Sequence, residues 1–170
     1  MPRIAVVLGL VLVVAGALWA AEAVVAPKVS TYTDALYGFT IHAPAFAKAE
    51  QGNVIPVMML GPADGGFCPN INVMIQNGAP GPEDYRKVTL EQFKAAGFKV
   101  NSEENRTVSG KSAILWNYEG VQQGRNLQFL SLAVFDSNRV FLITCTATKE
   151  TFPNLEKKFA ACVSSFAFAK

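Results

Sequence analysis

"NLQFLSLAVF" (residues 126–135) and "RVFLITCTAT" (residues 139–148) are separated only by Asp136, Ser137 and Asn138. A connection this short forces antiparallel neighbours, because a parallel crossover needs a dozen residues or more. Each segment is apolar on both faces. Leu127, Phe129 and Ala133 alternate with Leu130, Leu132 and Val134, and Phe141, Ile143, Cys145 and Ala147 alternate with Val140 and Leu142. An antiparallel sheet wetted on one side has no need of that second apolar set. The pair therefore predicts the middle of an antiparallel sheet covered on both faces, with one helix on each side.

The flanking sequence supplies the other elements. "FKVNSEENRTV" and "KSAILWNYEG" extend the strand series upstream, joined by Ser109-Gly110 and followed by "GVQQG". Earlier still, "LYGFTIHAP" stops at Pro44, while "PVMMLGP" and "PNINVMIQN" flank the turn-forming "GPADGG". "PGPEDYRKVTLEQFKAAGF" has helical character. Pro82 suits a first turn, Glu83 and Asp84 suit the positive end of the helix dipole, and Gly97 suits the C′ position. Thr89 and Gln92 also form a capping-box pattern for a shorter helix. "FPNLEKKFAACVSSF" places Leu155, Phe159, Cys162 and Phe166 on one helical face. The fold class is α+β, an antiparallel sheet with helices on both faces in a three-layer α/β/α sandwich.

The chain has 170 residues, 51% of them hydrophobic, and a formal net charge of +2. That composition suits one domain with a sizeable core, and the charge is too small and dispersed for nucleic-acid binding. Residues 1–23 read as a signal peptide: Arg3, an apolar run over residues 4–21, then the small-residue triplet Ala21-Glu22-Ala23. The other reading is an uncleaved anchor, since the run reaches the short end of a membrane span. Either way residues 35–170 form the exported domain behind a short leader, residues 24–34. Export means a periplasmic, extracellular or thylakoid-lumen type of compartment, and membrane contact only through residues 4–21 if they stay attached.

"YGFTIHAP", "PNINVMI", "VSGKSAILWNYEG" and "RVFLITCTATKETF" followed by "FAACVSSF" resemble the successive blocks of the PsbP-like superfamily, which includes DcrB-like domains. The resemblance runs from about Ala35 to Phe168. It implies a central antiparallel sheet between helices and an accessory or binding role, with no shared catalytic residues to carry over. The implied partner is a protein or a membrane-associated complex.

Few residues suggest chemistry of their own. Cys145 lies on an apolar strand face and Cys162 on the apolar face of the helix that follows. Counted back from the turn, they lie roughly 10 Å along a strand and roughly 13 Å along a helix, nearly level. Export makes a Cys145–Cys162 disulfide an option, beside a bridge from Cys68 or three unpaired thiols. Cys68, in "GGFCPN", is also the one plausible reactive thiol. A cysteine-dependent enzyme would need a base, and His42 is the only histidine of the chain. Metal binding lacks the usual paired spacing, no phosphate-binding loop or G-x-S-x-G elbow is present, and no cofactor is expected. Glu103-Glu104 and Glu83-Asp84 read as solvated charge. Trp116 shares a strand face with Ile114 and Tyr118; core packing is the favoured reading, and a partner surface at Trp116 and Tyr118 is the other. "NRT" at Asn105 matches the N-glycosylation pattern.

Overall fold

A computed structural model describes residues 31–48 and 57–169. The expected signal segment, residues 1–23, lies outside the described residues. Over the described residues the chain is α+β, with antiparallel sheets and two helices.

Three long hairpins form the body. Strands β6 (Lys99–Val108), β7 (Lys111–Gln122), β8 (Arg125–Asp136) and β9 (Arg139–Thr148) follow one another, each antiparallel to the next. Two of their turns have positive φ at both central residues, Ser109 (50°) with Gly110 (76°) and Gln123 (52°) with Gly124 (74°). That backbone matches the right-handed strand twist, so two residues suffice to reverse the chain. Expectation and structure differ at "GVQQG": β7 runs on through Gln122, and Gly120 is a strand residue instead of a turn residue.

Upstream lie β3 (Ala47–Lys48), β4 (Val57–Leu60) and β5 (Asn70–Asn77). The seven-stranded sheet has the order β3-β4-β5-β9-β8-β7-β6. Strand β5 pairs with β9, and helix α1 (Pro82–Ala95) carries the chain from there to the far edge at β6. Pro82, Glu83 and Asp84 occupy the first turn of α1 as expected, whereas Thr89 is buried inside the helix, which removes the capping-box alternative. At its end the Phe98 N–H donates to the Phe93 carbonyl and the Gly97 N–H to that of Lys94, with Gly97 at φ 73°. This is a Schellman cap, and only glycine takes that conformation without strain.

Side chains alternate between two cores. Phe141, Ile143, Cys145 and Ala147 of β9, with Leu130, Leu132 and Val134 of β8, share one core with Phe152, Phe159, Cys162 and Val163 of helix α2 (Phe152–Ser164). Val140 and Leu142 of β9, with Leu127, Phe129 and Ala133 of β8, share the other with Tyr85 and Phe93 of α1. The alternation of the central strands thus divides them between two clusters, because successive strand side chains point to opposite faces.

A second sheet has the order β1-β2-β10, from β1 (Tyr32–Asp34), β2 (Phe39–Ile41) and β10 (Ala167–Phe168). It begins inside the expected leader, so the folded chain includes Tyr32 to Asp34. Phe39, Phe141, Phe166 and Phe168 pack in a continuous ring cluster that fixes this sheet beside the end of α2.

Candidate functional site

Cys145 lies on β9, opposite Leu130 of β8 and Ile71 of β5, and is 0% exposed; Cys162, on α2, is 1% exposed. The two side chains belong to the same buried core. Both are free cysteines. Burial, and then the neighbouring Cys162, push the Cys145 thiol well above its ordinary value. A thiol so held is not a thiolate at neutral pH and is no nucleophile in the closed fold.

Cys68 is half-buried in the loop before β5, where its carbonyl accepts from Asn70 Nδ2 at 3.2 Å. Its neighbour Phe67 packs in the α1-side core. His42 is exposed just past β2, between Ile41 and Ala43 of the α2-side core. The His42 backbone N–H donates to Ser165 Oγ at 2.8 Å, at the end of α2. No hydrogen bond among the described residues joins the Cys68 and His42 side chains.

Trp116 is 1% exposed and Tyr118 is buried as well. Both are core residues, which corrects the alternative that made them a partner surface. Trp116 Nε1–H donates to Glu103 Oε2 at 2.8 Å, directly across β6 and β7. Arg86 of α1 donates to the other oxygen of the same carboxylate. Glu103 therefore ties helix to sheet, and the reading of Glu103-Glu104 as solvated charge holds only for Glu104, which pairs with exposed Arg106. Period-two alternation sends the two neighbouring carboxylates to opposite faces.

The same row continues inward as Trp116, Ser131, Thr144 and Asn72, each opposite the next. Tyr118 Oη and Ser131 Oγ lie 3.2 Å apart, and Ser131 donates to Thr144 Oγ1 at 3.2 Å. Burial pushes the Tyr118 hydroxyl up to about 12, against the smaller opposing effect of its Ser131 hydrogen bond. Asn72, fully buried, has no protein partner for either amide atom. This row escaped sequence reading, although Ser131 and Thr144 stand out as polar residues inside "FLSLAVF" and "VFLITC".

Glu103→Ala is expected to cost about 1–3 kcal/mol, the penalty for a buried donor left without an acceptor, here the Trp116 indole N–H. Glu103→Gln, which keeps an acceptor, should cost less. Urea unfolding midpoints separate the two, and equal loss in both variants would assign the effect to charge alone.

On the α2-side face the helix packs over β9 and β8, leaving β7 and β6 beyond it. An open groove of about 160 Å³ results, lined by Val108, Leu115, Leu132 and Val163 with Arg106 and Ser164. Among the described residues no three His, Cys, Asp or Glu side chains gather to hold a metal, and no helix is long and apolar enough to cross a membrane.

This arrangement, an antiparallel sheet with α1 before β6 and α2 after β9, is PsbP-like in fold. The solved structure of the cyanobacterial PsbP protein CyanoP from Synechocystis sp. PCC 6803 matches it with a TM-score of 0.59 and 15% identity, over 89% of this chain and 98% of that one. LpqN of Mycobacterium tuberculosis, described as involved in cell envelope biogenesis, matches with a TM-score of 0.61 and 15% identity, over 78% and 83% of the two chains. PA94 of Pseudomonas aeruginosa, a protein of unknown function, matches with a TM-score of 0.59 and 20% identity, over 79% and 93%. No protein-family model and no curated protein matches the sequence. At these identities the likeness is one of fold.

Proposed function

We propose that this chain is an exported, non-catalytic accessory protein that binds an envelope or membrane-associated partner. The observation that carries the reading is the shared fold with CyanoP and with LpqN, the latter described as acting in cell envelope biogenesis. Residues 1–23, with their signal-peptide pattern, support export. The division of β8 and β9 between a core containing α1 and a core containing α2 supports the three-layer α/β/α arrangement. In an oxidising compartment the Cys145–Cys162 pair, buried in one core, also becomes a candidate disulfide.

The test combines fractionation, N-terminal sequencing and cross-linking in intact cells. The expected result is a chain outside the cytoplasm that starts after Ala23 and is recovered in one reproducible cross-linked adduct with an envelope protein. A cytoplasmic chain would overturn the reading. So would an exported but uncross-linked chain whose Cys68 is alkylated far faster than a model thiol, since that result favours the cysteine-enzyme alternative with His42 as base.

A further inference from the structure

We infer that Cys145 and Cys162 are joined by a disulfide made before α2 closes over the sheet, leaving Cys68 as the free thiol. The inference rests on the exported reading for its oxidant and on the fold for its pairing.

Geometry selects the pair. Helix α2 follows β9 after the short turn at Lys149 to Thr151, and packs back on β9 and β8. Cys145 lies three residues before the end of β9, and Cys162 ten residues into α2. Both return from the same turn to similar depth, and both are buried in the same core. Ala147, buried beside them in the same core, adds little bulk between helix and strand. Cys68 is a poor competitor: it is half-buried in the loop before β5, and its neighbour Phe67 packs with the α1-side core and not with the core that holds the other two cysteines.

Burial sets the order of events. In the closed fold both side chains are buried, so neither sulfur offers a path for a bulky oxidant. Before α2 docks, both cysteines are solvated and closely spaced in the chain, and loops of this length close in well under a microsecond. The chemistry is exchange with a disulfide-bearing oxidant. One cysteine thiolate attacks the oxidant's disulfide, whose S–S bond breaks as one sulfur leaves as thiolate. The resulting mixed disulfide is attacked by the second cysteine thiolate, which expels the oxidant's other sulfur and forms the Cys145–Cys162 bond. Two electrons pass to the oxidant, and the two cysteine protons end on its two thiols.

The bridge would pin α2 to the central strand and, once covered, would be shielded from reductants. The test uses the full chain, unfolded under reducing conditions and refolded in oxidised glutathione. It is then unfolded without reductant, alkylated and mapped by mass spectrometry. The expected result is one alkylated residue, Cys68, and a linked Cys145–Cys162 peptide. Bridged protein should show a folding equilibrium constant roughly a hundredfold above that of its reduced form. Three alkylated cysteines after refolding, or a link that includes Cys68, would overturn the pairing. The mapping needs no variant, so a Cys162→Ser chain that failed to fold would leave it intact. The same mapping on protein isolated from its host separates the two readings. A pair bridged in glutathione but alkylated in the host protein overturns the exported compartment and upholds the geometry.

Discussion

Phe159→Ala is expected to lower stability by about 3–5 kcal/mol, the cost of emptying a fully buried aromatic site. Phe159 is 0% exposed and is the middle anchor of α2. Its ring packs at 5.6 Å from that of Phe152 on its own helix and at 6.3 Å, edge-on, from that of Phe46 before β3. No smaller side chain bridges those partners, so the loss combines hydrophobic transfer with a cavity. Against a typical domain stability of about 5–15 kcal/mol, the change approaches the whole margin for a chain at the lower end. Lys157→Ala, on the exposed side of the same helix, should shift stability by less than about 0.5 kcal/mol. Guanidinium unfolding followed by circular dichroism gives both values. In the reduced protein, Phe159→Ala should also speed alkylation of Cys162, because opening α2 is what exposes that thiol. A Phe159→Ala chain as stable as the parent would mean that α2 is held elsewhere.

Gly120→Val is expected to cost about 2–3 kcal/mol, at the upper end for overpacking. A Cβ at Gly120 would stand 2.0 Å from Phe98 Cδ1 and 2.7 Å from its Cε1. The ring cannot swing aside freely, since it packs against Phe93, Tyr118 and Phe129 at centroid distances of 6.2, 5.7 and 5.6 Å. The Schellman cap also fixes the backbone of Phe98. Gly120 is thus the gap in β7 into which the residue after α1's cap is folded. The check is a double-mutant cycle by urea unfolding: Phe98→Ala in the Gly120→Val chain should recover part of the loss, and strict additivity would refute the contact as its cause.

Local pattern carried much of this fold. The two-sided apolar alternation of β8 and β9 assigns their side chains to two cores, and the structure makes the same division residue by residue. Gly97 was legible as a C′ glycine because its requirement is a property of one backbone angle. Phe159, Cys162 and Phe166 were legible because a helix repeats its buried face every three or four residues. The β1-β2-β10 sheet was not, because strands of two or three residues are too short to show a period, and Ala167 finds its partner Thr40 only after most of the chain has folded.

The candidate chemistry divides in the same way. Cys145 and Cys162 could be placed level with each other from two known rises and one short turn. Cys68 and His42 could not be placed relative to each other, since their separation depends on which face of the sheet each loop takes. Glu103 looked like any strand carboxylate until Trp116 and Arg86 met it from two other elements.

By itself, then, the sequence determined the antiparallel hairpins, the two-sided apolar alternation of the central strands, the helices that flank them in the chain and the pairing candidates at the last turn. Each of these follows from residue spacing within one element or across one short connection. Only the tertiary structure decided that β5 lies beside β9 and that Trp116 is sealed under α1. Those outcomes depend on contacts between segments far apart in the chain, whose energies no local period records.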